Sequence, residues 1–481
     1  MFSAATWFRP LALGLYMSAA AMASLASVAH AAAESAGPAV DKTRILILTD
    51  IGNEPDDSQS LVRFLLYSNE FDVEGIVATT STWLRDKVNP QMIHERIDAY
   101  QKVLPNLRKH AAGYPAAQAL RAVVRSGQPG YGMDWVGEHR STEASALIVQ
   151  AVDKQDSRPL WITVWGGGVD LAQALYDVKA SRSPQAVADF VGRIRVYAIS
   201  DQDNTGVWIR RNFPQLRWIT SIHAWNDYFL SSWIGVSSSF ALGSDMSEVN
   251  NDWLQQNIRR KGPLGALYPA IEYTMEGDTP SFLYLLRNGL GDSDHPEYGG
   301  WGGRYAAIAP DSDEGLRVSA SDTVVGTDGK SYRTAPATIW RWRDAFQNDF
   351  AARMDWTQSG ELSKANHNPV LVLNDQAGSG IVAWQARAGE TVRLSAQGSG
   401  DRDGDTVTYR WWQYKEPTAT AIGVHFAPAL ELTHGDGLQT AFIAPSVDAP
   451  TPFHIILEAK DSGTPALTSY RRAIVTVLPA R

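Results

Sequence analysis

The sequence predicts an α/β domain built on a mostly parallel sheet, followed by a smaller all-β domain. Short, continuously apolar runs alternate with segments of helical periodicity through the first three quarters of the chain. Polar or glycine-rich loops directly follow those runs. Near residue 360 the composition changes to short strand-like segments separated by turns. The 481 residues are enough for two or three domains.

The first β-loop-α-β unit lies at the start of the predicted α/β domain. Arg44–Thr49 is an apolar run typical of a strand that is buried on both faces. A loop over residues 50–57 leads into helical spacing from Ser58 to Tyr67, and a second strand follows at Val73–Thr79. Such units build parallel sheets, in which ligands bind beyond the carboxyl ends of the strands.

The same order of elements recurs farther along the chain. A helix at Thr142–Val152 precedes a strand at Leu160–Trp165, a turn of three glycines and a helix at Asp170–Val178. Another strand, Arg195–Ile199, ends in the polar loop 200–204. Three loops that directly follow strands are therefore expected at one edge of the sheet.

The last part of the chain is predicted to be a β-sandwich of the immunoglobulin-like type. Turn signals separate five strand-like segments, which are Val370–Leu373, Glu390–Ala396, Thr406–Trp412, Phe453–Ala459 and Arg472–Leu478. Residues 359–368 have the composition of a linker. The predicted limits are therefore 44–358 for the α/β domain and 369–481 for the sandwich.

The N-terminus has the features of a cleavable signal peptide. Arg9 precedes an apolar run from Leu11 to Val28, and the small residues that follow suit cleavage after Ala31. Residues 1–31 are therefore predicted to be removed, which makes the mature protein periplasmic or secreted; an uncleaved membrane anchor is the alternative. The chain has no cysteine, so it offers no disulfide, thiol nucleophile or thiolate metal site.

Charge and aromatic content narrow the range of partners. The net charge of −9 does not favour binding to a nucleic-acid polymer or to an anionic membrane. The chain has 17 tryptophans, and indole rings can stack on the faces of sugars, although most are expected in the core. Trp83 follows the second strand and is a candidate for substrate binding. In the sandwich, Trp384, Trp411 and Trp412 are interpreted either as a glycan-binding platform or as core.

The most informative motif is the acidic loop Asp50-Ile51-Gly52-Asn53-Glu54-Pro55-Asp56-Asp57. Asp50 ends a buried strand, whereas Asp56 and Asp57 begin the next helix. Clustered carboxylates repel one another unless a cation compensates, and Ca²⁺ accepts roughly six to eight oxygen ligands. The structural alternative for Asp56 and Asp57 is that acids at a helix N-terminus are favoured by capping and by the macrodipole.

This loop resembles the signature Asp-x-Asp-Pro-Gly-x-Asp-Asp of the inosine-uridine nucleoside hydrolases. Asp50, Gly52, Asp56 and Asp57 match it, whereas Leu48 stands at the family's first Asp and the loop is about two residues longer. The segments 166–172 and 276–281 are similar to two further motifs of that family, in the same order. A bacterial subgroup described as nucleoside hydrolase-like, or cellulose-binding, is closer still, because it shares the longer loop and a β-rich C-terminal domain.

The resemblance implies a Ca²⁺-dependent hydrolase that cleaves an N- or O-glycosidic bond of a furanose-type sugar. The substrate would be a small-molecule or oligosaccharide glycoside. The implied metal ligands are Asp50, Asp57, the backbone carbonyl of Val169, and Asp278. Asp50 would also accept a proton from the attacking water. The candidates for substrate binding, besides Trp83, are Asn53, Glu54, Asp56, Asp201, Asp203 and Asn204. A solvated turn is the alternative for the last three, and core packing is the alternative for Trp83.

The proton donor to the leaving group is where this sequence departs from the family. Gly277 occupies the position at which purine-cleaving relatives have His. Glu276 is the candidate catalytic acid and Glu54 is the alternative, and each is otherwise a structural or substrate-binding group. A carbohydrate-binding protein without turnover is the second functional hypothesis, and the sandwich alone could serve oligomerisation or packing. The sequence leaves open whether the chain forms a homo-oligomer.

Overall fold

An eight-stranded, mostly parallel sheet forms the centre of the α/β region in the computed structural model, which describes residues 42–309, 312, 314–418 and 426–480. The predicted signal peptide lies outside the described residues. The strands of this region are β1 (Thr43–Thr49), β2 (Phe71–Ala78), β3 (Val124–Ser126), β4 (Leu160–Val164), β5 (Ile194–Ser200), β6 (Arg217–Ser221), β7 (Tyr305–Ala307), β8 (Leu316–Ser319), β9 (Asp322–Val325) and β10 (Ser331–Thr334). The order in the main sheet is β3-β2-β1-β4-β5-β6-β8-β7, in which only β7 runs antiparallel to its neighbour. The predicted fold class is therefore confirmed.

Helices cover this sheet and its loops. They are α1 (Asp56–Tyr67), α2 (Pro90–His110), α3 (Ala117–Ala122), α4 (Glu143–Asp153), α5 (Val169–Ser181), α6 (Pro184–Gly192), α7 (Thr205–Asn212), α8 (Asn251–Leu254), α9 (Gly262–Gly265), α10 (Pro280–Leu283), α11 (Ala337–Trp340) and α12 (Arg343–Asp355). No helix among the described residues is long and apolar enough to cross a membrane.

Strand β1 shows why an unbroken apolar run forms a central strand. Ile45 and Ile47 belong to one hydrophobic cluster, whereas Leu46 and Leu48 belong to the other. Because successive side chains of a strand point to opposite faces, the two clusters lie on the two faces of the sheet. All four side chains are fully buried. The strand is thereby fixed from both sides, and so is the loop that follows it.

The sheet reverses its strand order beside β1. Strand β1 pairs with β2 on one side and with β4 on the other. At such a switch point, the loops that leave the carboxyl ends of the two central strands diverge and open a crevice. The crevice here is formed by the loops that begin at Asp50 and at Trp165.

The C-terminal region is a β-sandwich. Its strands are β11 (Val372–Leu373), β12 (Gln376–Ala377), β13 (Val382–Arg387), β14 (Thr391–Ser395), β15 (Thr408–Tyr414), β16 (Gln439–Ile443), β17 (Thr451–Lys460) and β18 (Thr468–Leu478). A four-stranded sheet of order β13-β18-β17-β15 and the pair β14-β16 bury one hydrophobic cluster between them. Trp411 is buried in that cluster, and the ring of Trp412 lies 5.8 Å from that of Trp342 in the α/β region. Neither ring is available as a surface platform.

The α/β region and the sandwich share buried contacts. Tyr414 and Tyr470 of the sandwich belong to the large hydrophobic cluster of the α/β region. The segment 359–368, predicted as a linker, is also packed, since the ring of His367 stacks on Trp356 at 5.3 Å and on His110 at 5.1 Å. The exact domain limits stay a prediction.

Candidate active site

A cavity of about 680 Å³ opens beyond the carboxyl ends of β1, β4 and β5. The residues that line it are Asp50, Asn53, Glu54, Asp56, Asp57, Trp83, Trp165, Ile199, Gln202, Asn226, Tyr228, Phe229, Trp233, Ile234, Ser238, Phe240, Tyr273, Thr274 and Asp278. Asp50, Asp56, Asp57 and Asp278 are called the cavity carboxylates below. Three of them are almost completely buried, and Asp56 is partly buried. They therefore lie at the inner end, whereas exposed aromatic rings lie near the mouth.

Asp50 is held at the end of β1 by its neighbours. The hydroxyl of Ser81, in the loop after β2, donates a hydrogen bond to Asp50 Oδ2. On the other side Gly166 leaves room for the carboxylate, because a β-carbon there would lie 2.4 Å from Asp50 Oδ1. The turn after β4 therefore requires glycine at this position. Asp50 Oδ1 is the oxygen that Ser81 leaves free.

Asp56 and Asp57 occupy the first turn of α1. Thr49, the last residue of β1, donates from its hydroxyl to Asp57 Oδ1. The side chain of Asp57 is buried, whereas that of Asp56 is partly exposed to the cavity. Acids are favoured at a helix N-terminus, but here the helix also directs them toward two further carboxylates.

Asp278 comes from a distant part of the chain and completes the cluster. It lies in the turn before α10, where the Ser281 hydroxyl donates to the Asp278 carbonyl oxygen at 2.7 Å. Trp165 Nε1 in turn donates to Ser281 Oγ at 2.8 Å, which ties this turn to the end of β4. Carboxylate oxygens of Asp56, Asp57 and Asp278 lie within 4.8 Å of one another.

The cavity carboxylates repel one another in a buried environment. Burial and the charge of neighbouring carboxylates together raise the pKa of Asp50 to about 6 and that of Asp56 to about 7. Burial and the charge of the other acids also raise the pKa of Asp57 and of Asp278 well above the ordinary value. No lysine, arginine or histidine among the described residues lines the cavity. A cation bound from outside the chain would compensate these charges.

The donor set fits a hard divalent cation. Asp278 Oδ2 is buried and has no hydrogen-bond partner, and the neighbouring oxygens of Asp56 and Asp57 point to the same volume. A set made only of carboxylate oxygens suits Ca²⁺ and does not suit the softer metals that prefer nitrogen or sulfur. Asp50 adjoins this set through its interaction with Asp57.

The structure brings together seven of the residues that the sequence predicts for the site. They are Asp50, Asn53, Glu54, Asp56, Asp57, Trp83 and Asp278, and all of them line the cavity. Five residues are not brought there, and the contacts of each explain why.

Glu276 does not face the cavity, although it lies only two residues before Asp278. Its Oε2 accepts from Arg63 Nη1 at 2.8 Å and its Oε1 accepts from the Tyr268 hydroxyl at 2.6 Å. The backbone of Glu276 has a φ of 55°, a left-handed conformation that is uncommon outside glycine. This turn sends the Glu276 side chain into the core. The prediction that Glu276 donates the proton is therefore corrected, because both of its oxygens are occupied by buried partners.

Three residues of the loop after β5 stabilise the loop instead of facing the cavity. Asp201 forms a two-point ion pair with Arg210 at 2.8 and 2.6 Å. Asp203 accepts from two backbone N–H groups, and burial raises its pKa to about 6. Asn204 Oδ1 accepts from the backbone N–H of Met133 at 2.8 Å. None of these three side chains lines the cavity.

Val169, predicted to supply a carbonyl ligand, begins α5 and does not line the cavity. The residues of the same turn that reach the cavity carboxylates are earlier. Trp165 lines the cavity, and Gly166 adjoins Asp50. The structure therefore gives no support to Val169 as a ligand.

Several lining residues were not identified from the sequence. Gln202 comes from the same polar loop as Asp201 and Asp203, and its buried Oε1 has no hydrogen-bond partner. Tyr228, Phe229 and Phe240 come from the irregular segment after β6, in which no periodicity marks a binding role. A signal was available for Gln202, since it follows a strand directly.

Comparisons with known proteins agree with this architecture. Residues 44–305 match the family described as cellulose-binding Sde182, nucleoside hydrolase-like domain, and residues 391–477 match the C-terminal domain of the cellulose-binding protein Sde0182. The chain is also similar to the structure of a nucleoside hydrolase-related hypothetical protein from Saccharophagus degradans that is associated with carbohydrate metabolism. The sequence identity is 35% over 91% of this chain and 100% of that chain, with a TM-score of 0.76.

Other similarities are weaker. The effector protein XOO4466 matches 62% of this chain and 92% of its own with 10% identity and a TM-score of 0.34. The PKD domain from the KIAA 1837 protein matches 21% of this chain and 84% of its own with 13% identity and a TM-score of 0.15. Among curated proteins, none matches the chain significantly.

Proposed function

Because the chain belongs to the cellulose-binding Sde182 family, whose main domain is nucleoside hydrolase-like, we propose that it is an exported Ca²⁺-dependent glycosidase. It would cleave the N- or O-glycosidic bond of a furanose-type sugar. The observation that carries the proposal is the set of cavity carboxylates, which no positively charged side chain among the described residues compensates. A purely structural site would not retain four uncompensated buried acids, since their repulsion destabilises the fold.

The proposed ligands of Ca²⁺ are Asp57, Asp278 and Asp56, with Asp50 beside them. When bound, Ca²⁺ would polarise a water molecule and hold sugar hydroxyls. Asp50 Oδ1 would accept the proton of that water, while Ser81 keeps the other oxygen of Asp50 in place. Asp56, the most exposed of the four, would hydrogen-bond a ring hydroxyl. The cavity carboxylates would also stabilise the positive charge that develops on the sugar ring.

Glu54 is the proposed proton donor to the leaving group. It lines the cavity and belongs to the inserted part of the acidic loop, whereas Glu276 is committed to Arg63 and Tyr268. Glu54→Gln should lower kcat about 100-fold for glycosides with poor leaving groups. It should have little effect on nitrophenyl glycosides, which need no proton. An equal loss for both substrate types would contradict this role.

A glycan-binding protein without turnover is the second candidate. The description of the family as cellulose-binding favours it, and so does the withdrawal of Glu276 from the cavity. In that case the cavity would hold a sugar in the same way, but no bond would be cleaved.

Sugar release distinguishes the two candidates. The purified protein is incubated with a panel of nucleosides and furanosides, in calcium chloride or in chelator. We expect release that requires calcium and that Asp57→Asn abolishes. Asp170→Asn is the matched control, because Asp170 is equally buried at the start of α5 but does not line the cavity. A folded protein that binds calcium and releases no sugar from any substrate would refute the glycosidase and favour the second candidate.

A further inference from the structure

We infer that the exposed aromatic rings at the mouth of the cavity form a binding surface for a glycan chain, on which the following sugars stack while the terminal sugar enters the cavity. This inference rests on the proposed function only in that the cavity holds a sugar. The mouth surface is defined by Trp83, Trp225, Phe229, Phe240 and Tyr273. It lies on loops that follow β2 and β6 and on the loop before Asp278.

The exposure of the mouth surface is unusual for aromatic side chains. Trp83 is 46% exposed, Trp225 50%, Phe240 65% and Tyr273 77%. By contrast, Trp165, at the inner end of the same cavity, is fully buried. Several exposed rings around one opening leave a large apolar area in water, which marks a binding surface. Folding alone gives no reason to keep these rings at one place.

The rings form a continuous path from the surface into the cavity. The ring centroid of Trp83 lies 5.7 Å from that of Trp225, and Trp225 lies 5.0 Å from Tyr228. Tyr228 lies 5.4 Å from Trp233, which lines the inner wall. A ligand that starts at the cavity carboxylates can therefore contact aromatic faces along the way out. A single small glycoside would not reach Trp225, which does not line the cavity itself.

Polar side chains lie between the rings. Asn53 and Asn226 are exposed, and together with Thr274 they line the same cavity. Sugars present an apolar C–H face to aromatic rings and hydroxyl groups at their edges, so they can satisfy both kinds of side chain. An apolar protein partner would bury these amides without hydrogen bonds, which is unfavourable.

Charge selects a neutral chain. The cavity carboxylates and Glu54 carry more negative charge than one Ca²⁺ would offset, and no cationic side chain among the described residues lines the cavity. The whole chain carries a net charge of −9. Phosphorylated ligands and acidic polysaccharides are therefore repelled as they approach, whereas a neutral glycan meets no such barrier.

Calorimetric titration with glucose and the cello-oligosaccharides up to cellohexaose tests this inference. Affinity should rise with chain length, and Trp225→Ala should lower the affinity for cellohexaose about tenfold. The binding of a monosaccharide should not change. Phe426→Ala is the matched control, because Phe426 is an exposed ring of the sandwich that does not line the cavity, and it should have no effect. Acidic oligogalacturonides of equal length should bind at least tenfold more weakly.

Three results would overturn the inference: affinity that is independent of chain length, equal affinity of the parent and Trp225→Ala proteins, or a loss of affinity in Phe426→Ala alone. Light scattering tests whether a second copy of this chain, and not a glycan, binds the mouth surface. If the parent protein is a dimer and Trp225→Ala is a monomer, the mouth surface is a dimer interface. Length-dependent binding without calcium-dependent turnover would support the inference and refute the glycosidase. Calcium-dependent cleavage with equal efficiency for short and long substrates would support the glycosidase and refute the inference.

Discussion

Two groups of buried acids in this protein have neighbours of opposite charge: arginines surround one group, and other acids surround the other. Where the α/β region meets the sandwich, Asp322 is fully buried between Arg304 and Arg341, each with a nitrogen 2.7 Å from one of its oxygens. The hydroxyl of Tyr414 donates to the same carboxylate at 2.5 Å. Three of the four cavity carboxylates are buried to a similar degree, but the charged groups beside them are other acids.

The pKa values move in opposite directions as a result. Burial by itself would raise the pKa of Asp322, but Arg341 and Arg304 hold it below its ordinary value. The pKa of each cavity carboxylate is raised, because no cation offsets burial there. Burial is common to both groups, so the charge of the neighbours decides whether the pKa is raised or lowered. Asp322 is therefore compensated within the chain, whereas the cavity carboxylates leave negative charge that a cationic ligand could compensate.

Glu276 and Asp278 show how local this distinction is. Only one residue separates them, yet Glu276 is paired with Arg63 at 2.8 Å, whereas Asp278 keeps a buried oxygen without a partner. Glu276 is therefore a structural acid like Asp322, because it is paired with an arginine, although it lies beside the site. Its ion pair with Arg63 links the turn that carries Asp278 to α1, which carries Asp56 and Asp57.

The largest expected effect comes from the paired group. Asp322→Asn leaves Arg304 and Arg341 buried without their counter-charge, and we expect it to lower the free energy of unfolding by roughly 3–5 kcal/mol. Differential scanning calorimetry measures this as a lower unfolding temperature. Asp294→Asn is the control, because the exposed pair of Asp294 with Arg217 contributes less than about 1 kcal/mol. Equal effects of the two substitutions on the unfolding temperature would mean that the buried pairs of Asp322 stabilise the fold no more than an exposed pair does.

The second effect is a dependence of stability on pH. With calcium chelated, the pKa of Asp50 is about 6 and that of Asp56 about 7, above the value of about 3.9 in the unfolded chain. The folded state then binds more protons, so its stability should fall by about 2–4 kcal/mol as pH rises from 5 to 8. Asp322, with a lowered pKa, loses its contribution only as pH falls below about 4.

Added calcium separates the cavity from other acids in this experiment. Burial also raises the pKa of Asp170 and Asp203 to about 6, but neither lines the cavity. The part of the decrease in stability between pH 5 and 8 that Asp170 and Asp203 cause should persist when calcium is added. The part that Asp50 and Asp56 cause should disappear. Thermal unfolding at several pH values, with calcium or chelator, measures both. A pH dependence that calcium leaves unchanged would count against a metal at the cavity carboxylates.

The fold and the acidic part of the site were predictable because they depend on local patterns. An unbroken apolar run predicts a strand with two buried faces, and β1 confirms it through the alternation of Ile45 and Leu46 between two clusters. Asp50 follows that strand directly, so the sheet edge on which it lies follows from the topology. The resemblance to nucleoside hydrolases identified the distant Asp278, which local patterns alone would not connect to Asp50.

The remaining site residues depend on side-chain directions that a sequence does not contain. In the loop after β5, Gln202 faces the cavity while its neighbours Asp201 and Asp203 bond to the protein itself. All three are polar residues of one turn, so composition cannot separate them. The same holds for Glu276, whose left-handed backbone turns its side chain toward Arg63. Of the mouth surface, only Trp83 was predicted from the sequence, because the aromatic residues between β6 and Asp278 show no periodicity that marks a binding surface.

The smallest expected effect tests the unpaired group most directly. Asp57→Asn removes one buried negative charge but keeps an oxygen that can accept from Thr49. Because it relieves repulsion among the cavity carboxylates, we expect it to raise the free energy of unfolding of the chelated protein by on the order of 1–2 kcal/mol at pH 8. The same substitution should abolish the stabilisation that calcium gives the parent protein, measured as the shift in unfolding temperature. Asp170→Asn should keep the calcium shift. Destabilisation by Asp57→Asn, or a calcium shift that survives it, would mean that Asp57 serves the fold as Asp322 does.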